Sequence, residues 1–526
     1  MFRRQFLSLA VASAFAASFS MPALATQYLT TDLVIVGGGL SGLAAAQSAV
    51  DQGVKPIVLE KEPALGGGGN FPEGSLGVGT RYQKEHGIKT TVDQVLTAAL
   101  QFHHYRADPH VLRVLIEESG KTVDWVIDKG AEMRGIRTMY PPEESLMTWH
   151  LFKGGAAGIV QRFAKEVRAK GGKILTETPA KKLLTENGKV VGVEAVDSEG
   201  EKVIIHAKKV ILATGGFESN KEMLAQYVTD SSALGMFEPV WYRGPVTDGK
   251  NGDGRTGDGI RMAQLIGAGV KGMHAIAGNA PYLPDNPPIN QFMGDDYLKQ
   301  GRCALAQPWL WVDQHGNRFF NESRGSVFVD VYNAMTTAGG VMYNIFDQAK
   351  FDQMVNKGAL LPFNAIVLAG VPLKELPKTW EVGMQRGWAF KADTIEDLAT
   401  QIGVPPENLK ATMTKVNQYA KDGKDPEFGR NPEHLAAFDM KKGPYYALKG
   451  IRAFFLTLGG VTVNPKFEAL NPQGDVIANL YVTGQDIGGL YDSSYDLKCE
   501  GSASSFAMTS GRLAADNAIK VIKEGK

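Results

Sequence analysis

Leu33-Val34-Ile35-Val36-Gly37-Gly38-Gly39-Leu40-Ser41-Gly42 runs from four apolar residues straight into a glycine-rich turn. So short an apolar run bounded by glycines reads as a buried parallel strand, not a helix. Leu43-Ala44-Ala45-Ala46 then supplies good helix formers. Strand, glycine turn and helix in this order make a dinucleotide-binding turn. Gly37 permits the bend, Gly39 lets backbone approach a pyrophosphate, and Gly42 lets the helix lie close to the strand. Leu40 and Ser41 open that helix, whose free N–H groups and positive dipole end favour phosphate. A second strand, Pro56-Ile57-Val58-Leu59, ends in Glu60, eighteen residues beyond Gly42. A carboxylate there accepts hydrogen bonds from adenosine ribose hydroxyls and disfavours a 2′-phosphate. The fingerprint alone does not separate NAD from FAD.

The remaining composition narrows the class. The 526 residues allow two or three domains, and 44% apolar with 21% charged residues is ordinary for a globular protein. Lys plus Arg and Asp plus Glu balance at 56 each, which argues against nucleic acid or an anionic membrane surface as partner. Two cysteines, Cys303 and Cys499, cannot build a four-cysteine iron–sulfur site, and neither lies in a haem-attachment sequence. They read as buried thiols, and electrons must come from a separate protein or soluble donor. Residues 1–25 read as an export leader: Arg3-Arg4-Gln5-Phe6-Leu7 is a twin-arginine pattern, and Ala23-Leu24-Ala25 has the form of a cleavage site. Mature protein is expected to begin at Thr26, in the periplasm, with no membrane span. His103-His104 with His110 read as a solvated helix face and not as a metal site, because adjacent histidines point to different sides of a helix.

Beyond the first turn the chain resembles the FAD-dependent fumarate reductase and 3-ketosteroid dehydrogenase superfamily. Glu60-Lys61 followed by Gly66-Gly67-Gly68-Gly69-Asn70 is similar to a family segment around the pyrophosphate and flavin edge. Ala207-Lys208-Lys209-Val210-Ile211-Leu212-Ala213-Thr214-Gly215-Gly216-Phe217 matches a family strand almost residue for residue. Thr256-Gly257-Asp258-Gly259, Gly316-Asn317-Arg318-Phe319-Phe320-Asn321-Glu322, Leu458-Gly459-Gly460-Val461 and Leu480-Tyr481-Val482-Thr483-Gly484-Gln485 follow in family order. The resemblance covers essentially the whole mature chain, as a flavocytochrome c-type flavoprotein without its haem domain. It implies FAD, held non-covalently because no histidine in the Gly-Gly-x-Asn segment can be flavinylated. It also implies FAD contacts from Lys61, Gly67, Gly68, Asn70, Ala180, Ala213, Thr214, Gly215, Asp258, Gly484, Gln485, Asp486, Gly501, Ser502 and Ser504.

The fold class expected is α/β: a Rossmann-like FAD-binding domain with an inserted α+β capping domain. The first part spans 26–278 and the second 449–526. Between them, 279–448 has a different texture, with a proline-rich loop at 281–288, amphipathic helices and few long apolar strands. Near the end, Gly501-Ser502-Ala503-Ser504-Ser505 precedes a helical pattern from Phe506, with hydroxyl caps that would aim a positive helix end at the flavin.

The catalytic pocket departs from the fumarate pattern. The family's proton-donating arginine falls by count on Ser326, with Arg324 two residues earlier as the candidate substitute. Its substrate histidine corresponds to Leu456 and its carboxylate-clamping arginine to Lys498, and the upstream relay is missing around Gly301-Arg302. A dicarboxylate needs cations at both ends, so these departures point away from fumarate and toward a larger, less charged substrate. Tyr491 and Tyr495 occupy the facing loop, where a tyrosine can polarise a carbonyl or relay a proton. His150 reads equally as a family histidine near a Gly-Gly turn or as a structural one. The expectation is a periplasmic FAD-dependent reductase of an α,β-unsaturated acid or ketone, supplied by a multihaem cytochrome c or quinol-linked donor. A 3-ketosteroid-type dehydrogenase, echoed in Phe506-Ala507-Met508-Thr509-Ser510-Gly511, and an electron-carrying flavoprotein are the alternatives.

Overall fold

The apolar run Leu33–Val36 is the buried end of the strand Gln27–Val36. In the computed structural model this strand lies at the centre of five parallel strands, in the order Val476–Val482, Lys202–Leu212, Gln27–Val36, Ile57–Leu59 and Lys173–Leu175. The register aligns Val482 with Leu212, Leu212 with Val36, Val36 with Leu59, and Leu59 with Leu175. All five strands therefore end in one row, and the residues just after them share one edge of the sheet, where open α/β folds bind ligands. The structure describes residues 26–141, 143–228, 254–284, 294–492 and 494–525. The leader at 1–25 and residues 285–288 of the proline-rich loop lie outside them.

The helix Leu40–Asp51 leaves the central strand through the glycine turn and is buried from Leu40 to Val50. Its outer side is covered by the helix Ser502–Lys523. The two backbones approach so closely that a Cβ on Gly511 would lie 2.2 Å from the Ser41 carbonyl oxygen. The chain's two ends thus meet over one sheet, and both helices begin at its carboxyl edge.

A second sheet of five strands forms the cap, in the order Ile276–Tyr282, Tyr445–Thr457, Val341–Asp347 and Leu310–Val312, with Ala389–Ala392 also paired to Tyr445–Thr457. The expected boundaries at 278/279 and 448/449 fall inside two of these strands. Tyr445–Thr457 is 13 residues long, yet Lys449 and Arg452 break its apolar run, which hides it from a hydropathy reading. The family-like segment around Arg318 and Glu322 is a clamp inside the cap. Arg318 Nη2 sits 2.7 Å from both Glu322 Oε2 and Asp425 Oδ2, and Arg430 Nη2 sits 2.8 Å from Glu322 Oε1, all buried. Among the described residues no helix is long and apolar enough to cross a membrane.

Candidate active site

A cavity of about 450 Å³ opens along the carboxyl edge of the parallel sheet and runs under the cap. At one end its wall is the first glycine turn. Gly37, at φ 112°, packs so tightly that a Cβ would lie 2.1 Å from the Ala213 carbonyl oxygen. Gly39, Leu40 and Ser41 line the cavity, and Gly39 caps the helix Leu40–Asp51 with no side chain bonded to its free N–H groups. A Cβ on Gly39 would meet no atom nearer than 3.7 Å and would stand in the cavity itself. Glu60 closes this end: Oε2 accepts from Gly38 N at 2.8 Å, Oε1 accepts from Glu62 N at 2.8 Å, and burial pushes its carboxyl up.

The middle of the cavity is lined by Gly67, Gly68, Asn70, Ala180, Ala213, Thr214 and Gly215. Lys61 and Asp258, also on the wall, form an ion pair at 2.6 Å. The far end holds Gly484, Gln485, Gly501 and Ser504. Gly501, at φ 82°, caps Ser502–Lys523 with no side-chain bond, so a second free helix start meets the cavity. The expected hydroxyl caps are instead inside the first turn, where the Ser504 hydroxyl donates to the Gly74 carbonyl at 2.6 Å.

Three residues expected to touch the cofactor stand behind the wall. Gly42 is a packing position, where a Cβ would lie 1.9 Å from the Gly37 carbonyl oxygen. Asp486 is buried and accepts from Thr214 Oγ1 at 2.9 Å, from Gly215 N at 3.3 Å and from Thr214 N, which holds the Ala213–Gly215 turn in place. Burial pushes its carboxyl up to about 7. Ser502 is buried and accepts from the Tyr491 hydroxyl at 3.1 Å.

The four catalytic candidates divide in two. Tyr491 and Tyr495 line the cavity, their rings 5.4 Å apart. The Tyr491 hydrogen goes to Ser502, whereas the Tyr495 oxygen accepts from Ala503 N at 3.3 Å and keeps its hydrogen. Arg324 and Lys498 are not on the cavity wall. Both bind Glu144, Lys498 Nζ at 3.2 Å from Oε2 and Arg324 through Oε1, and Arg324 Nη2 also lies 2.6 Å from Asp330. Their positive charge is taken up by carboxylates of the chain itself, and neither side chain lines the cavity. Ser326 donates to the Met139 carbonyl.

Sequence reasoning missed much of the cap-side wall. Phe328 and Phe455 meet edge to face with centroids 5.9 Å apart, and Phe455 meets Tyr495 at 5.4 Å. Leu456, Met139 and Trp149 complete an apolar surface, and Asp496 and Glu500 add two buried carboxyls. Arg255 is buried on the wall, with Nη1 3.1 Å from the Phe455 carbonyl and 3.3 Å from Glu218 Oε1. Its position just ahead of Thr256-Gly257-Asp258-Gly259 was the available signal. His103 is also a correction: it is buried, with Nε2 2.9 Å from the Asp496 carbonyl, because the helix Val92–Phe102 ends before it. His150 is buried between Thr80 Oγ1 at 2.8 Å and the Thr148 carbonyl at 2.7 Å, off the cavity wall, and burial lowers its pKa to about 4.

Residues 32–501 match the FAD binding domain family. A vinyl phenol reductase of Lactiplantibacillus plantarum is 32% identical over 93% of this chain and 96% of that protein. This chain belongs to the FAD-dependent fumarate reductase and 3-ketosteroid dehydrogenase superfamily, and FAD is its cofactor. The open conformation of a flavocytochrome c3 fumarate reductase superposes with a TM-score of 0.66 at 25% identity, covering 94% of this chain and 78% of that one. A 3-ketosteroid-Δ4-(5α)-dehydrogenase from Rhodococcus jostii RHA1 shares the fold, with a TM-score of 0.70 at 21% identity over 93% and 97% of the two chains. The residues fit the cofactor: a glycine leaves open space where a pyrophosphate would pack, an acid stands at the second strand end, and two uncapped helix starts face one cavity.

Proposed function

We propose that the protein reduces the carbon–carbon double bond of a small, weakly charged substrate in which that bond is conjugated to an aromatic ring. The observation that carries this reading is the aromatic wall of Phe328, Phe455, Leu456 and Tyr495, whose buried cation Arg255 is held by Glu218 and the Phe455 carbonyl, set against the withdrawal of Arg324 and Lys498 to Glu144. A dicarboxylate at this wall would leave a buried charge without a partner, whereas an aryl ring stacks there at no electrostatic cost. Similarity to a vinyl phenol reductase supports the same substrate class.

Gly37, Gly39, Ser41, Glu60, Ala213 and Gly215 would hold the nucleotide part of FAD, non-covalently, and the start of Ser502–Lys523 would face its redox ring. When bound and reduced, FAD supplies a hydride to one alkene carbon. The chain's residues do the rest. The helix start favours negative charge at its end of the cavity. Tyr495 presents its hydroxyl hydrogen to the substrate, and the aromatic wall keeps water out. The leader pattern supports export to the periplasm through the twin-arginine pathway, with electrons from a separate cytochrome or quinol-linked donor.

An anaerobic assay with dithionite-reduced viologen as donor tests the reading. Fast reoxidation by 4-vinylphenol or a cinnamate ester, with fumarate slower by about 10²-fold or more, is the expected result. Fumarate as the best acceptor would end it. The same aromatic wall also admits a 3-ketosteroid, and bleaching of the oxidised flavin by saturated 3-ketosteroids would favour the dehydrogenase instead. Processing is checked by N-terminal sequencing of exported protein, expected to start at Thr26.

A further inference from the structure

Two of the carboxyl groups on the cavity wall, Asp496 and Glu500, stand in one loop with no counter-ion. Glu500 is 1% exposed. Its Oε1 accepts from Thr138 Oγ1 at 2.7 Å, from Met139 N at 2.5 Å and from Tyr140 N at 3.4 Å, while Oε2 has no partner. Asp496 is also 1% exposed, and its Oδ1 accepts from the backbone of Leu497 and Cys499. Among the described residues neither makes an ion pair. The charged and titratable groups around them do not compensate. On the same loop Lys498 is held by Glu144, and from the cap Arg324 is shared between Glu144 and Asp330. Asp330 adds negative charge, while Tyr140, Tyr491, Tyr495 and Cys499 are held neutral by burial. His103, against the Asp496 carbonyl, is pushed toward its neutral form by burial.

An ionised carboxylate with an unsatisfied buried oxygen and a like-charged neighbour is the costly state, and a protonated acid relieves both problems. Burial, the first cause, and then the backbone and hydroxyl donors set the balance at Glu500, and its carboxyl stays above the usual range. Tyr495 is a poorer acid, its phenol pushed well above its ordinary value first by burial and then by negative charge at Asp496, whose own carboxyl burial also pushes well up. It can polarise without giving up its proton.

We propose that Glu500 is the acid that protonates the second alkene carbon, with Tyr495 as a hydrogen-bond donor beside it. The proposal rests on the alkene-reductase reading. One carbon takes the hydride that the reduced cofactor supplies. The other forms its C–H bond to the Glu500 proton as the carboxyl O–H breaks. The product has gained two electrons and two hydrogens, Glu500 is left as the carboxylate, and water reprotonates it before the external donor returns two electrons to the flavin.

The test uses FAD-loaded wild type, Glu500→Gln, Glu500→Asp and Thr138→Val. Each is reduced anaerobically with viologen and mixed with the best alkene of the panel. Glu500→Gln should be reduced like wild type and then reoxidise about 10²-fold or more slowly, with Glu500→Asp recovering part of the rate. Separately, infrared pH-difference spectra without substrate should contain a protonated carboxyl band that persists above the usual carboxylate range and is missing from Glu500→Gln. Thr138→Val removes a donor to Oε1, which favours the charged form, so the alkaline limb of the reoxidation rate should move to higher pH. Thr138→Val decides the matter should Glu500→Gln fail to take up FAD, because an unmoved limb overturns the assignment. Wild-type reoxidation rates in Glu500→Gln, or an unchanged carboxyl band, also overturn it. Wild type inert to every alkene sinks the functional reading itself, whereas active wild type with equally active Glu500→Gln sinks only Glu500.

Discussion

The Tyr495 hydroxyl oxygen accepts a hydrogen bond from the backbone nitrogen of Ala503 at 3.3 Å, so a cavity-facing side chain is tied to the first turn of the C-terminal helix. The bond occupies the oxygen as acceptor and leaves the hydrogen for whatever lies in the cavity. Tyr495→Phe keeps the ring in contact with Phe455 and Tyr491 and removes only that donor. Turnover should fall about 10²-fold, while FAD affinity and stability change by no more than about 1 kcal/mol. Stopped-flow reoxidation with a parallel FAD titration separates the two effects. Unaltered turnover would place substrate polarisation on another group.

Arg324 and Lys498 should behave as structural residues. The Lys498 side chain is 39% exposed and its single ion pair with Glu144 is open to solvent. Lys498→Ala should cost at most about 1 kcal/mol of stability. Arg324 is more enclosed and bridges two carboxylates, so Arg324→Ala should cost more, about 1–3 kcal/mol, through the acids it leaves behind. Neither should lower turnover beyond the few-fold that a shifted loop produces. Chemical denaturation and steady-state rates decide, and a hundredfold loss of rate in either variant would return it to the catalytic list.

What was legible in the sequence depended on how locally the physics acts. The Gly37–Gly42 turn can be read because strand, turn and helix are consecutive, and Gly37 and Gly42 each answer a clash within the same few residues or with one neighbouring strand end. Glu60 follows from the same unit. Glu500 could not be read this way, because the groups that fix its carboxyl, Thr138 to Tyr140, lie some 360 positions earlier in the chain. Arg324 had the right residue type near the right place, but Glu144, which claims its charge, is 180 residues away. His103 was misread for a different reason: the helical pattern was extended through it, whereas the helix stops at Phe102 and the histidine turns inward.

His150 predicts how stability responds to acid. Its ring is fully buried, and burial lowers its folded pKa from 6.5 to about 4. Between those values the unfolded chain binds a proton that the folded chain does not, so stability rises with pH across this window. The contribution is fully present above about pH 6.5 and is lost as pH falls toward 4, by up to about 3 kcal/mol. His150→Gln lacks this titration. The stability difference between wild type and variant, followed by urea denaturation from pH 8 to pH 4.5, should shrink or reverse as pH falls. A difference independent of pH would mean that the folded ring titrates like the unfolded one.

Gly39 and Gly42 stand three residues apart in one turn, yet their replacement by alanine should break different things. At Gly42 a Cβ would lie 1.9 Å from the Gly37 carbonyl oxygen and 3.2 Å from the Ala213 Cβ, contacts that force the helix Leu40–Asp51 away from the strand. Gly42→Ala should therefore lose about 1–3 kcal/mol of stability whether or not FAD is present. Gly39 has φ −77° and ψ −175°, a conformation that alanine adopts freely, and its Cβ would touch nothing closer than Gly66 O at 3.7 Å. The apoprotein of Gly39→Ala should melt like wild type. The added methyl group would occupy the space over the uncapped helix start, where the pyrophosphate must come closest to backbone, so FAD affinity should fall at least tenfold, about 1.4 kcal/mol. Melting curves of both apoproteins with fluorescence titration of FAD measure the contrast. Unchanged FAD affinity in Gly39→Ala would mean that the phosphates do not lie over this helix start.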